Sequence, residues 1–154
     1  MRPNFELLRD AFAIIDGIPE AAFNLCAWTS KKGESLSCGT IACAGGWIAR
    51  HPTFTRIGVS IDAEGDVVLD NGCSNGAYAL AEVFSLNIAK DEELIFSSRG
   101  YHLGGYKDYD LTAPQRRMLT DKQLWKRRVL RLFQEYDEPF DATVGEGLLL
   151  DVRQ

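Results

Sequence analysis

The sequence predicts a mainly α (α+β) fold: a compact helical domain with one small β-hairpin near residues 56–69. Three observations lead there. Apolar residues recur at helical spacing toward both ends, at Phe5, Leu8, Phe12 and Ile15 and again at Trp125, Val129, Leu132, Phe133 and Tyr136. Two capping-box spellings, Thr112-x-x-Gln115 and Thr120-x-x-Gln123, mark helix starts, because the threonine hydroxyl and the glutamine amide satisfy each other's orphan backbone N–H groups. The best hairpin signal is a pair of β-branched runs, 56–61 and 66–69, separated by Asp62-Ala-Glu-Gly65, which has good turn chemistry.

Taken in order, the first helix spans about 5–16, with Asn4 as its N-cap and Gly17 as its stop. Pro19 suits the first turn of a short second helix over 19–28. The polar stretch 29–37 reads as a loop. Thr40 then caps a helix over 41–50 that ends before Pro52, since proline disfavours helical geometry in the residue ahead of it. That helix is rich in small residues, and its adjacent Gly45 and Gly46 cost about 1 kcal/mol each relative to alanine. It therefore belongs at the centre, where a neighbour approaches its backbone closely. After the hairpin, Asn71-Gly72 and Asn75-Gly76 are turns. A helix over 77–85 places Ala77, Leu80, Ala81 and Phe84 on one face, and a shorter one covers 90–96. A Gly- and Tyr-rich loop fills 97–111, long enough to suggest function. The clearest helix runs over 121–136, with Lys122, Lys126, Arg127 and Arg131 off its apolar stripe. An acidic tail over 137–154 carries one apolar run, Leu148-Leu-Leu150, expected to dock back onto the domain.

The length of 154 residues fits a single domain over 1–154, and 45% hydrophobic content is enough to form a core without metal or disulfide staples. No apolar run approaches the roughly 18 residues that span a bilayer, and the N-terminal residues lack the pattern of a signal peptide. The expectation is a cytoplasmic protein with free thiols and no membrane partner. The net charge of −5 argues mildly against generic nucleic-acid binding. The charge is uneven: 112–136 holds seven basic residues against two acidic ones, so this stretch is +5 and the remainder −10.

The unusual chemistry lies in Cys38-Gly-Thr-Ile-Ala-Cys-Ala-Gly-Gly-Trp47. Cys38 sits just before a predicted helix start, where the helix dipole favours a thiolate. Only His51 and His102 are histidines, and His51 falls at the far end of the same helix, roughly 15 Å away at about 1.5 Å per residue. A cysteine-dependent enzyme would thus pair Cys38 with His102. Zinc is a further reading, with Cys26, Cys38, Cys43 and Cys73 as ligands, but their spacings of 12, 5 and 30 match no common zinc module. The favoured reading makes the cysteines small core hydrophobes, Trp47 anchoring the same packing, with no cofactor.

The N-terminal helix, Phe23-Asn-Leu-x-x-Trp28 and Cys38-Gly-Thr-x-Ala-Cys-x-x-Gly-Trp47 resemble a recurring group of small proteins from bacteriophages and bacteria. The resemblance covers 5–50 well and 77–96 loosely. Asn87, where a short turn is usual, and the loop 97–111 depart from it. It implies a phage or prophage origin and a domain type, and no reaction.

Function is therefore expected at the other end of the chain. Arg116, Arg117, Lys122, Lys126, Arg127, Arg128 and Arg131 gather in sixteen residues, and Tyr101, Tyr106 and Tyr109 precede them. Basic residues beside stacking platforms suit nucleic acid. Tyrosine and arginine together also suit a protein interface, and the −10 elsewhere would neutralise many of these cations internally. The favoured reading is a non-enzymatic binder of a host protein, contacting it through Tyr101, Tyr106, Tyr109, Arg116, Arg117, Lys126, Arg127 and Arg131.

Overall fold

Helices form wherever the apolar period and a capping residue coincide. In the computed structural model, which describes residues 2–23, 44–63, 66–70, 76–87 and 110–150, six α-helices and a two-stranded antiparallel hairpin are seen among the described residues. Helix α1 spans Phe5–Asp16, its first turn closed by the Asn4 side chain accepting from the Leu7 N–H at 3.1 Å. Its face Phe5, Leu8, Ala11 and Ile15 is buried. Helix α2 (Ala44–Arg50) buries Ala44, Gly45, Gly46, Ile48 and Ala49, as its small side chains require. It packs on α1 and on both strands of the hairpin.

The predicted helix over 19–28 does not continue through Phe23. Pro19 starts a single tight turn, Glu20–Ala22, and Phe23 is extended at φ −115°, ψ 127° and buried. The Trp47 indole N–H donates to the Ala22 carbonyl at 2.9 Å, which occupies an oxygen that would otherwise propagate the helix. Residues 24–28 lie outside the described set, as do the predicted helix over 90–96 and the start of the one over 41–50.

The hairpin pairs β1 (Val59–Ile61) with β2 (Val67–Leu69) in the register Val59↔Leu69, Ser60↔Val68, Ile61↔Val67. It is shorter than predicted at its start, because a short helix α3 (Pro52–Thr55) takes the chain first. His51 caps α3, its Nδ1 accepting from the Thr53 N–H at 3.2 Å, and Pro52 supplies a helical φ at the first position. Phe54 then points inward, fully buried, against Phe84 at 5.5 Å between ring centroids. Gly58 joins α3 to β1 at φ +97°, a left-handed conformation, and a Cβ there would meet the Asp70 carboxylate at 3.1 Å.

Helix α4 (Gly76–Phe84) buries Ala79, Leu80, Ala81 and Phe84 and packs on β2 and α1. Helices α5 (Ala113–Met118) and α6 (Asp121–Glu135) each begin with the capping box read from the sequence, complete in both directions. Two helices are followed by a left-handed residue that is not glycine. Ser85 (φ 53°) and Asp137 (φ 54°) adopt the left-handed position, and Leu86 N–H donates to Ala81 O, as Glu138 N–H does to Phe133 O, both at 2.8 Å. The main core joins α1, α2, α4, α6 and the hairpin, with Trp125, Phe54, Phe84, Leu8 and Ile15 among its largest buried side chains. The C-terminal run does dock: Leu148 is buried, whereas Leu149 is exposed.

Truncating Leu8→Ala, at the centre of the α1 face, should cost about 2–5 kcal/mol. Thr120→Ala, which opens one capping box, should cost about 1 kcal/mol. Urea denaturation followed by far-UV circular dichroism measures both, and equal losses would contradict this division between core and cap.

Candidate functional site

The sequence places Lys122, Lys126, Arg127 and Arg131 off the apolar stripe of α6, and the structure buries part of that second face as well. Between Leu124 and Phe133 the helix is buried on most sides, and Arg127 and Arg128 are 0% and 2% exposed. Among the described residues, Arg127 meets Asp110, at the end of the predicted loop, and Leu149, in the C-terminal segment.

Arg127 Nη1 and Nη2 donate to the two carboxylate oxygens of Asp110 at 3.0 and 2.5 Å, a bidentate fork. The same guanidinium donates from Nε and Nη2 to the Leu149 carbonyl at 3.4 and 3.2 Å. Arg131 forms a second ion pair with Asp110, and Arg116 Nη1 donates to the Leu111 carbonyl at 2.7 Å. Burial pushes the Asp110 carboxyl up, but the hydrogen bond from Arg127 and the charges of Arg127 and Arg131 outweigh it and hold the group below its usual range. Three arginines thus hold Asp110 and Leu111, which lead into α5.

The remaining basic residues divide by role. Lys122 Nζ donates to the carbonyls of Asp16 and Ile18 at 2.9 and 2.8 Å, satisfying the C-terminal end of α1. Lys126 pairs with Asp16 at 2.5 Å, and that hydrogen bond, offset in part by burial, lowers the Asp16 carboxyl below its usual value. Arg117 is exposed, and beside it Met118 is the most exposed large apolar side chain among the described residues, at 72%. Of the predicted contact residues, Arg127 is therefore internal, Arg116, Lys126 and Arg131 are half-buried and engaged within the chain, and Arg117 faces solvent. Tyr101, Tyr106 and Tyr109 lie outside the described residues.

The same holds for Cys26, Cys38, Cys43, Cys73 and His102, so the nucleophile pair and the zinc set fall outside the described structure. His51 spends Nδ1 on capping α3. Among the described residues no group of three or more metal-ligating side chains converges, and no helix is long and apolar enough to cross a membrane. Two of the surface hollows are lined by described residues. One, of about 450 Å³, lies where the hairpin meets α4 and is lined by Arg56, Ile57, Asp70 and Glu82 among others. The other, of about 180 Å³, is mostly apolar and lies between Phe12, Leu130, Phe133, Phe140 and Val144. Neither brings together a nucleophile, a base and an oxyanion donor, the minimum for acyl-transfer chemistry.

Sequence reasoning missed Asp110 and Leu149 as site residues. Nothing in local spacing marks an aspartate seventeen residues upstream of its arginine or a backbone oxygen twenty-two residues downstream. The usable signal was the local charge imbalance, which calls for acidic partners from elsewhere in the chain.

Compared with family models, curated proteins and solved structures, the chain matches none of them.

The clamp makes a graded prediction. Arg127→Ala removes a buried, bidentate cation and should cost about 3 kcal/mol, whereas Arg131→Ala leaves Asp110 held by Arg127 and should cost about 1 kcal/mol or less. Chemical denaturation at pH 7 reads the difference. In acid the sign is fixed by the lowered carboxyls of Asp110, Asp16, Glu138 and Asp141. Their stabilisation is present above the unfolded aspartate and glutamate values, about 4, and is lost as pH falls through the lower folded values. Melting temperature should fall steeply below about pH 4, and Asp110→Asn should flatten that fall. An unchanged acid limb in this variant would contradict the ion pairing.

Proposed function

We propose that this protein is a non-enzymatic, phage-type interaction module that binds and modulates a host protein in the host cytoplasm. Its contact surface on this reading is the segment 97–109 with the adjoining exposed face of α5. The observation that carries it is the anchoring of Asp110 and Leu111 by Arg127, Arg131 and Arg116 beside exposed Arg117 and Met118. Binding segments work best on rigid scaffolds, because a fixed root reduces the entropy lost on association. Tyrosine, methionine and arginine are also among the side chains enriched at interfaces, and tyrosine buries a large rigid area at low conformational-entropy cost. The phage attribution rests on the sequence resemblance over 5–50, and more loosely over 77–96, alone.

Two other readings carry less support. For nucleic acid, Lys126, Arg127 and Arg131 already face carboxylates, Arg116 and Lys122 donate to backbone carbonyls, and Arg128 is buried. Within the cluster 116–131 few cations remain to displace counterions. Any such binding should therefore show a shallow dependence on salt, of about one or two ions. The Cys38–His102 enzyme rests on the sequence alone, and an iodoacetamide rate at Cys38 no faster than that of an ordinary thiol would remove its motive.

The direct test is capture of a partner from bacterial host lysate by the tagged full chain, followed by affinity measurement on the purified pair. Tyr101→Ala with Tyr106→Ala, and separately Arg117→Glu with Met118→Ala, should each weaken binding by about tenfold or more. Retained affinity in both double variants, with unchanged melting temperature, would place the contact elsewhere.

A further inference from the structure

The smaller hollow is built from three separate stretches of chain. Helix α1 supplies Arg9 and Phe12, α6 supplies Leu130 and Phe133, and the stretch after α6 supplies Phe140, Asp141 and Val144. Phe133 and Phe140 meet edge to face with ring centroids 6.2 Å apart, so packing fixes that wall. Its volume of about 180 Å³ is close to the roughly 150 Å³ of an apolar cavity that admits benzene. One ring or one branched aliphatic group therefore fits.

The two charged residues at this hollow each keep polar atoms uncommitted. Arg9 Nη2 donates to Glu138 Oε1 at 2.8 Å and to the Pro139 carbonyl at 2.7 Å, and the guanidinium lies over the Phe133 ring at 5.1 Å. Nε and Nη1 have no acceptor among the described residues. Asp141 Oδ1 accepts from the Thr143 N–H and hydroxyl at 2.9 and 2.8 Å, while Oδ2 accepts from no described residue. Arg2 and Arg9, set against Glu138 and Asp141, sum to zero, so a simple anion or cation gains little from the local field. A molecule that carries both charges and an apolar group matches all three features.

We propose that this hollow binds a free α-amino acid with an apolar side chain, of the size of phenylalanine or leucine, in its zwitterionic form. The ligand carboxylate accepts from Arg9 Nε or Nη1, and its ammonium donates to Asp141 Oδ2. Its side chain enters between Phe12, Leu130, Phe140 and Val144. Charge-assisted hydrogen bonds at both ends fix the orientation, and burial of the side chain supplies the attraction. The bound molecule bridges α1, α6 and the stretch 139–144, which only the folded chain brings together, so binding stabilises the fold by mass action. This site is independent of the host-protein contact proposed above, which uses α5.

The test titrates the full chain with L-phenylalanine, 3-phenylpropionate, phenethylamine and N-acetylphenylalanine amide, following the methyl resonances of Leu130 and Val144. Phenylalanine should bind with a Kd on the order of 1 mM or tighter and raise the melting temperature. Loss of the ammonium, in 3-phenylpropionate, or of the carboxylate, in phenethylamine, should weaken binding about tenfold. Asp141→Asn keeps the oxygen that caps Thr143; it should weaken phenylalanine about fivefold or more and leave 3-phenylpropionate unchanged. Arg9→Gln should weaken both, and Val144→Trp, which fills the hollow, should abolish binding of every probe. Equal affinity for phenylalanine and its two truncated analogues overturns the proposal. Tighter binding of the N-acetyl amide also overturns it and assigns the hollow to a side chain of a protein partner. No methyl shift at about 10 mM phenylalanine is equally decisive against it. Should Arg9→Gln lower the melting temperature by itself, the Asp141→Asn arm decides, and unchanged phenylalanine affinity there refutes the assignment.

Discussion

A guanidinium with no access to water imposes conditions on everything around it. Arg127 is always charged at the pH of a cell, and leaving that charge unpaired in the interior would cost several kcal/mol. The fold answers by bringing two distant pieces of chain to the same point, a carboxylate from before α5 and a backbone carbonyl from the C-terminal segment. Each piece neutralises or solvates what the other leaves. The arrangement therefore fixes where the chain enters α5 and where the stretch around Leu149 lies, and a helix that reads as a surface element becomes a buried post.

The opposite side of α6 depends on more ordinary forces. Leu124, Trp125, Val129, Leu132 and Phe133 pack toward the core that α1 shares with α2 and α4. Phe133 meets Phe5 edge to face with ring centroids 4.8 Å apart, and Arg9 lies over the Phe133 ring at 5.1 Å. Lys122 and Lys126 tie α6 to the end of α1 from the same side. The Trp125 indole N–H is buried without an acceptor among the described residues, a polar cost that this packing tolerates. Lys122, Lys126, Arg127 and Arg131 are thus divided between two structural tasks, the closing of α1 and the clamping of Asp110.

What the sequence disclosed follows from how local each signal is. Helix α1, its Asn4 cap, both capping boxes and the hairpin turn depend on residues within four positions of one another, and all were legible. So was the docking of Leu148, which had an apolar run to announce it. The failures depend on distance. Phe23 is extended because an indole twenty-four residues later contacts the preceding carbonyl. Helix α3 hid behind Pro52, read only as a stop when it also serves as a start. Ser85 and Asp137 end their helices in a conformation usually signalled by glycine, so neither end carried its usual mark. At the candidate site the basic cluster was visible, but which of its members face water was not. Burial of Arg127 is decided by Asp110 and Leu149, and no periodicity links those three residues.

The root at Asp110 and Leu111 also bears on how such a protein changes over generations. Its anchors, Arg116, Arg127 and Arg131, all reside on α5 and α6, and none belongs to the segment 97–109. Change at positions 116, 127 and 131 is therefore constrained by Asp110 and Leu111 as well as by the helices that carry them. A lysine in place of Arg127 would keep the charge and lose the fork, so conservation of charge alone would not preserve the contact.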